Sequence, residues 1–335
     1  MKKTILAGLL AIVLSLTACS GELFGLSVQI KQPQPTIAPE VTAPSAAPVQ
    51  EPLRVVATTY PVYLLTTAIT QGVEGVEVTL MLNQGTSCLH DYNLTATDMK
   101  ALEWADAIVM SGAGLEAFMA DALARSSATV IDSSAGVGLL LYDSHESDHD
   151  HEDGDGHDHD GEDDPHIWMD PAKAAQMLEN IRAGLSALDS GNTAVYQDNA
   201  DAAQTQLAAA LEGWQAQLTP LTRREIITFH DGFQYFTRAF DLELLFAIEE
   251  EEGAEASAKD IREIAELINT GKANGVVPAV FTEVNGSDAT AKAIARETGV
   301  ETHQLTMIMS GQGTGLEGYL QAMDANIAAL LEALG

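Results

Sequence analysis

Two sets of short β-rich runs, each alternating with helical segments, constrain the fold of this chain more than any other feature. In the first set, strands are predicted at 53–58, 76–81, 107–110 and 128–131, and helices at 61–70, 95–104 and 115–124. In the second set, strands are predicted at 225–229, 243–248, 279–283 and 301–305, and helices at 257–269, 287–298 and 318–334. Such alternation is typical of parallel strands joined by crossover helices. The sequence therefore predicts an α/β protein with two Rossmann-like lobes, each a parallel sheet with helices on both faces.

A helical region separates the two sets. Residues 171–188 are helical in composition, and residues 193–217 form a longer segment that Thr219-Pro220 ends. One apolar stripe runs along the longer segment, formed by Leu207, Leu211, Trp214 and Leu218. We expect one long rigid helix, within residues 171–219, to join an N-terminal lobe at 53–170 to a C-terminal lobe at 220–335.

The first residues have the parts of an export signal. Met1-Lys2-Lys3 precedes an apolar run that is too short to span a bilayer. Leu16-Thr17-Ala18-Cys19 resembles a bacterial lipobox, which implies a signal peptide at 1–18 and lipidation of Cys19; a plain secretory signal with an incidental cysteine is the alternative. Residues 19–52 form a Pro/Ala-rich tether. We expect an exported protein, lipid-anchored to the cell membrane on its outer face or periplasmic side, which meets the membrane through this anchor only.

Residues 143–164, DSHESDHDHEDGDGHDHDGEDD, combine twelve Asp or Glu with five His and no aliphatic side chain. Within them, His145-Glu146-Ser147-Asp148-His149 matches the H-E-x-x-H pattern of zinc proteases, which needs a helix to put both imidazoles on one face. Nothing in this stretch anchors a helical face, and its like charges repel one another. We interpret it as a disordered loop, with a solvated acidic run as the alternative. The loop would bind metal weakly through His145, His149, His151, His157 and His159.

Four histidines lie outside this loop. His90, His166 and His230 fall at predicted strand ends or in the turns beyond, where open α/β sheets place ligand groups. His303 lies inside a predicted strand and is interpreted as structural. Three neutral imidazoles in one cleft suit zinc, although each histidine taken alone is more often a hydrogen-bonded surface or core residue. The net charge of −33 at pH 7 also suits a cation and argues against nucleic acid as a partner.

Six motifs from residue 53 onward resemble those of one family. They are TTYPVY, LHDYNLTATDMKALEWADAIVMSGAGLEAFM, DPHIWMDP, FHDGFQYFTRAFDLE, ASAKDIREIAELI and GYLQAMDANIAALLEAL. With these motifs the chain resembles the solute-binding proteins of bacterial zinc and manganese ABC transporters, of the cluster A-I type. The resemblance implies metal ligands at His90, His166 and His230, and the histidine at the third position implies zinc. It also implies an ABC permease and its ATPase as partners, with Zn²⁺ as transported ligand rather than catalytic cofactor; we expect a monomer.

The motifs leave the fourth ligand undefined. Many members of the resembled family have an aspartate after the last strand, where this chain has Leu305-Thr306-Met307-Ile308. Some zinc-binding members use a glutamate directly before the first histidine, where this chain has Leu89. A water molecule, Glu283 or Cys88 could therefore fill the fourth position, although Cys88 is also interpreted as a plain buried residue.

Residues close to the candidate ligands each have two interpretations. Asp91 and Asp231 directly follow His90 and His230, and they either orient the imidazoles or cap helices. Four aromatic side chains near these points either wall the site or are ordinary packing residues. They are Tyr60, Tyr92, Trp168 and Phe233.

The sequence predicts a high-affinity extracytoplasmic zinc-binding receptor that delivers Zn²⁺ to an ABC importer permease and is not an enzyme. Two alternatives stay open. One is a zinc-dependent hydrolase with an open coordination position and Glu283 as general base. The other is a metal-binding surface adhesin without a transport role. In each case, the H-E-x-x-H match in the acidic loop is interpreted as coincidental.

Overall fold

The four strands of the first sheet run parallel. The computed structural model describes residues 51–82, 89, 92–141, 163–247, 257–284 and 288–335. The strands are Leu53–Ala57 (β1), Val76–Leu80 (β2), Ala107–Met110 (β3) and Thr129–Asp132 (β4). They lie in the order β2-β1-β3-β4, and each neighbouring pair is parallel. The strand order reverses between β1 and β3, and open α/β sheets bind ligands beyond the carboxyl ends of the strands at such a reversal.

The second sheet repeats this topology. Its strands are Glu225–Thr228 (β5), Glu243–Ala247 (β6), Ala279–Glu283 (β7) and Thr302–Leu305 (β8). They lie in the order β6-β5-β7-β8, again with parallel neighbours. The reversal falls between β5 and β7, so His230 and Glu283 lie at the same carboxyl edge of the sheet. The predicted pair of parallel α/β sheets is confirmed, with strand ends that differ from the prediction by no more than one residue.

Helices connect the strands and follow capping signals in the sequence. In the described part of the chain they are Tyr60–Ile69 (α1), Ala96–Trp104 (α2), Ala120–Leu123 (α3), Pro171–Leu188 (α4), Thr193–Leu218 (α5), Gln234–Ala239 (α6), Ala258–Asn274 (α7), Asp288–Thr298 (α8) and Gly315–Leu334 (α9). Helix α4 begins where Asp170 accepts the N–H of Ala172 and Pro171 presets the first turn. Helix α2 begins with a reciprocal capping box between Thr95 and Asp98. None of the helices among these residues is long and apolar enough to cross a membrane.

Both faces of each sheet are covered by helices. In β1, Val55 packs in the cluster that includes α1, whereas its neighbour Val56 packs with Leu102 of α2. In β5, Ile226 belongs to the same cluster as Val55, whereas Ile227 packs against α7 and α8. Side chains that alternate between two apolar faces explain why these strands are continuous hydrophobic runs.

One apolar core joins the two lobes. The buried side chains of α1, α4, α5 and α9 form a single cluster with one face of each sheet. Helix α5 has 26 residues, which at 1.5 Å per residue is about 39 Å long. Helix α9 packs against both α1 and α5, and the hydroxyl of Tyr60 accepts the N–H of Gly313 at 2.9 Å just before α9. The predicted long interlobe helix is present, and direct packing of α9 on α1 reinforces it.

Three helical segments differ from the prediction. The helix predicted at 115–124 is a 3₁₀ turn at Ala117–Met119 followed by α3. Its first turn is altered because the buried Glu116 carboxylate accepts the backbone N–H groups of Ser111 and Gly112. Helix α7 continues five residues beyond its predicted end, to Asn274. Helix α6 has only 6 residues, too few for a recognisable helical period in the sequence.

Two helical glycines give opposite predictions for stability. A methyl group added at Gly184 of α4 would come within 2.7 Å of the Ile131 side chain on β4, so Gly184→Ala should destabilise the protein by about 1–3 kcal/mol. At Gly213 of α5 the same methyl group meets nothing within 4 Å, so Gly213→Ala should stabilise it by about 0.5–1 kcal/mol. Urea unfolding of both variants measures the two free energies. Equal effects of the two substitutions would contradict the packing of α4 on β4.

Candidate metal centre

His166 is held in a fixed orientation by Asp164. Both lie just before a 3₁₀ turn at Ile167–Met169, and they are 1 % and 0 % exposed. One carboxylate oxygen of Asp164 accepts the backbone N–H of His166 at 2.9 Å and lies 2.8 Å from the ring Nδ1. An ionised carboxylate accepts only, so this contact fits a ring whose Nδ1 carries a proton; in the neutral form of that ring the lone pair is on Nε2. A carboxylate that holds an imidazole in this way is the usual support of a metal-ligating histidine.

His230 lies two residues beyond the end of β5 and is 6 % exposed. Its Nδ1 lies 3.0 Å from the Asp231 carboxylate and 2.9 Å from the backbone nitrogen of Gly232. One ring nitrogen cannot both donate to the carboxylate and accept from the N–H. A cation at Nε2 requires the form in which Nδ1 donates to Asp231. Asp231 is therefore placed to orient the imidazole as well as to begin the turn that follows.

The two imidazoles lie against each other. The ring centroids of His166 and His230 are 5.1 Å apart, and the ring planes are nearly perpendicular, at 84°. The two residues are separated by 64 positions in the chain and are brought together at the carboxyl edge of the second sheet. Both imidazoles are buried, and the Nδ1 atom of each lies against a carboxylate. Their two Nε2 atoms can therefore act as ligands to one metal ion.

Uncompensated negative charge surrounds these rings. Burial alone would lower the pKa of His230, but Asp231, Glu283 and Asp164 together outweigh it and raise this pKa to about 9. Among the residues that the structure describes, two buried carboxylate oxygens have no hydrogen-bond partner: Oδ2 of Asp164 and Oε1 of Glu283. Unpaired buried anionic oxygens are costly. A cation bound between the carboxylates and imidazoles would remove that cost.

Aromatic side chains close one side of the site. The Trp168 ring is fully buried and lies 5.3 Å from the His166 ring, edge to face. Phe233 is also buried, at 1 % exposure, in the turn that follows His230. The other two predicted wall residues are engaged elsewhere. Tyr60 bonds to Gly313, and Tyr92 packs on Phe118 with its hydroxyl donating to Asp98.

Several predicted site residues lie outside the described residues. These are His90, Asp91 and Cys88, the lipidation residue Cys19, and the loop histidines His145, His149, His151, His157 and His159. Within the described ranges no group of three or more His, Cys, Asp or Glu side chains is arranged to hold a metal ion. His303 is described, and its ring packs against Phe281 on the neighbouring strand at 6.0 Å.

The ends of the acidic loop are fixed beside His166. Leu141 and Asp163 pair as an antiparallel bridge, and the N–H of Asp164 donates to the carbonyl of Leu140 at 2.8 Å. The hydroxyl of Tyr235, from α6 in the C-terminal lobe, accepts the N–H of Leu140 and donates to the carbonyl of Asp164. The two ends of the acidic run therefore lie next to each other, beside the segment that carries His166.

The sequence analysis missed two supports of this site, Asp164 and Tyr235. The sequence analysis assigns Asp164 to the acidic loop. Its position two residues before His166, with Pro165 between them, is nevertheless a local signal for a carboxylate that hydrogen-bonds to the ring. Tyr235 has no local signal, because its partners lie 71 and 95 positions away in the chain.

The protein has a two-lobed α/β binding-protein fold. Its two parallel sheets share one core, and a buried histidine–carboxylate cluster lies at their carboxyl ends. Residues 55–333 match the family model described as ZnuA, zinc-uptake complex component A periplasmic, and the chain belongs to this family.

Relatives and solved structures agree with this assignment. The chain is 28 % identical over 284 residues to the zinc-binding lipoprotein AdcA of Streptococcus pneumoniae serotype 4, covering 83 % of this chain and 55 % of AdcA. It thus spans about half the length of the curated relatives it matches. The Zn(II)-bound ZnuA-like domain of the S. pneumoniae AdcA superposes with a TM-score of 0.67 at 25 % identity, covering 84 % of this chain and 99 % of that domain. The laminin-binding protein Lmb of Streptococcus agalactiae shares the fold, with a TM-score of 0.70 at 24 % identity. The match covers 84 % of this chain and 100 % of that chain.

The raised pKa of His230 predicts a particular pH dependence of stability for the metal-free protein. Because the folded-state pKa, about 9, exceeds the ordinary value of 6.5, the charged ring stabilises the fold below pH 6.5 and this contribution is lost as pH rises through 9. Urea unfolding at about pH 6 and about pH 9.5 measures it. His230→Gln, which cannot be charged, should lose this difference. Identical pH dependence in the two proteins would show that the carboxylates do not act on His230.

Proposed function

We propose that this protein binds Zn²⁺ tightly and delivers it to the permease of an ABC importer. The observation that carries the proposal is the buried contact between His166 and His230, each backed by a carboxylate. Imidazole nitrogen suits zinc, and ionised partners on Nδ1 raise the basicity of the donating Nε2. The relative AdcA is a zinc-binding lipoprotein and the family is that of a zinc-uptake component, which supports the same ion.

His90 is the third ligand in this proposal, and Glu283 is the fourth. Glu283 lies at the end of β7, is 8 % exposed and, among the described residues, has a carboxylate oxygen without a partner. Its negative charge raises the pKa of His230, which supports its choice as the fourth ligand. A water molecule or Cys88 is the alternative fourth ligand. Three nitrogens and one oxygen make a closed tetrahedral set for zinc.

The ion is cargo and takes part in no reaction in this proposal. A hydrolase needs an open coordination position and a free general base, whereas Glu283 serves here as a ligand. The receptor is exported, anchored by lipid at Cys19, tethered through residues 19–52, and acts as a monomer with a permease and its ATPase. The N-terminal lobe at 53–170, the helical region at 171–219 and the C-terminal lobe at 220–335 are its functional parts.

Release of the ion proceeds by local movement in this proposal. The lobes share one apolar core, and α5 spans it without a break, so a wholesale hinge rotation would expose buried surface and break helical hydrogen bonds. Segments around His90 and His230 carry the ligands without forming part of that core helix. Opening of these segments would expose the ion to a docked permease and leave the lobes in place.

The acidic His-rich loop has a separate role in the proposal. It collects zinc weakly and raises the concentration of the ion beside the tight site. The loop ends at Leu141 and Asp163 are bonded to each other next to His166, so a zinc ion released by the loop has a short path to the cluster.

Single substitutions of the histidines test the ligand assignment. His90→Ala, His166→Ala and His230→Ala should each weaken zinc binding by more than the roughly 10- to 100-fold typical when an outer-shell partner is lost. His303→Ala is the matched control, since its ring packs against Phe281, and it should bind zinc as the wild type does. Calorimetry with a competing chelator measures the affinities, in protein lacking residues 145–160. A tight site that survives any of the three substitutions would remove that residue from the ligand set.

Deletion of residues 145–160 tests the role of the loop. The tight affinity should stay nearly unchanged, whereas the rate of zinc loading at scarce zinc should fall because the local supply is lost. Stopped-flow measurements with a zinc-buffered indicator give the rate. A control with the five loop histidines replaced by asparagine keeps the length and charge of the loop. Normal loading by both variants would leave the loop without this role.

A further inference from the structure

Tyr235 connects the segment that carries His166 to the segment that carries His230. It lies on α6, in the same stretch of chain as His230, and is 1 % exposed. Its hydroxyl donates to the carbonyl of Asp164 at 3.0 Å, and the carboxylate of Asp164 in turn orients the ring of His166. One buried side chain therefore bonds the two histidine segments to each other across a long separation in the chain.

The same hydroxyl also holds the chain on the other side of the acidic run. It accepts the N–H of Leu140 at 2.9 Å, and the carbonyl of Leu140 accepts the N–H of Asp164 at 2.8 Å. A phenol hydroxyl can donate one hydrogen bond and accept another at the same time. Leu140 and Asp164 are therefore both fixed to α6 by one oxygen atom.

The Tyr235 ring is held by contacts that do not involve its hydroxyl. The ammonium group of Lys173 lies 5.4 Å from the centre of the ring and also donates to the carbonyl of Gly138. The adjacent residue, Phe236, is completely buried in the core that the two lobes share. A cation over an aromatic face is a favourable contact. A phenylalanine at position 235 would keep these contacts and remove only the hydroxyl.

The two histidine segments are also in close contact at Gly232, in the turn just after His230. A methyl group added at Gly232 would come within 2.6 Å of Nδ1 of His166. Movement of the His230 segment away from His166 would therefore separate surfaces that are now in contact. It would also take the Tyr235 hydroxyl away from the N–H of Leu140 and the carbonyl of Asp164, and buried backbone groups that lose a partner are costly.

We propose that Tyr235 is a positioning residue that keeps the His166 and His230 segments together and so sets the rate at which the bound ion leaves. This inference rests on the proposed zinc-binding function, with release by local movement. The two hydrogen bonds of Tyr235 exist only while the segments are together, so they stabilise the closed, ion-bound arrangement against opening. They take no part in the first encounter with the ion. Tyr235 therefore slows dissociation and leaves association unchanged, as most affinity differences between related complexes lie in the dissociation rate.

Tyr235→Phe and Tyr196→Phe form a matched pair of variants. Each removes one hydroxyl from a buried tyrosine, and the hydroxyl of Tyr196 donates to Asp189 at 2.9 Å, at the end of α4 that is far from His166. The full-length protein, loaded with equimolar zinc, is mixed with excess chelator, and stopped flow gives the rate of zinc release. Mixing with a zinc-buffered indicator gives the association rate. Thermal unfolding of the metal-free variants gives the stability lost with each hydroxyl.

Tyr235→Phe should release zinc about tenfold faster or more, in the range found when an outer-shell partner of a metal ligand is lost. Its association rate should equal that of the wild type, and Tyr196→Phe should match the wild type in both rates. A merely structural role would lower the unfolding temperature of both variants and leave zinc release unchanged, which would overturn the inference. Slower association with unchanged dissociation would also overturn it, because Tyr235 would then shape the empty site.

Hydrogen exchange of the wild type tests the same contact without a substitution. Since the N–H of Leu140 donates to Tyr235, its exchange reports separation of the two segments. Zinc should slow this exchange by about tenfold or more, because the ion stabilises the arrangement in which the bond is made. Exchange that does not respond to zinc would overturn the inference. A wild type that fails to retain zinc against the chelator would contradict the proposed zinc-binding function itself, and the inference would fail with it.

Discussion

The contact between two buried imidazoles and the carboxylates behind them governs the functional edge of this protein. Asp164 and Asp231 hold the Nδ1 atoms of His166 and His230, so both rings are turned with their Nε2 atoms away from those carboxylates. In the described part of the chain, two further carboxylate oxygens nearby have no hydrogen-bond partner. Asp231, Glu283 and Asp164 together raise the pKa of His230 to about 9 despite its burial. In the proposed metal site, a divalent cation would therefore compete with the proton for the ring of His230.

The fold supplies the rigidity that this cluster needs. His166 comes from the turn before α4 and His230 from the end of β5, and the two elements are packed on a core that runs through both lobes. Helix α9 fixes the turn after β8 through Asn326 and also packs on α1. The positions of the two imidazoles are therefore set by the shared helices as much as by the sheets.

Some of this was predictable from the sequence, and the reasons are physical. Helix α4 and strands β3 and β7 have the predicted bounds, because capping residues and turn residues mark their ends locally. The short α6 and the broken helix after Glu116 were not predictable, since tertiary hydrogen bonds decide them. The rings of His166 and His230 lie against each other, which agrees with the family resemblance. Asp164 as an orienting group has a local signal, since it precedes His166 by two positions. Tyr235 bonds across 71 and 95 positions, and a long-range contact leaves no pattern in a single sequence.

In the proposed site, the ion is held mainly through imidazole nitrogen at the edge where His166 and His230 meet. X-ray absorption at the zinc edge, on zinc-loaded protein without residues 145–160, tests this directly. We expect three imidazole nitrogens and one oxygen at about 2.0–2.2 Å, with the imidazole signal reduced when His166 or His230 is replaced. A coordination shell made only of oxygen, or an imidazole signal that is unchanged by both replacements, would contradict it.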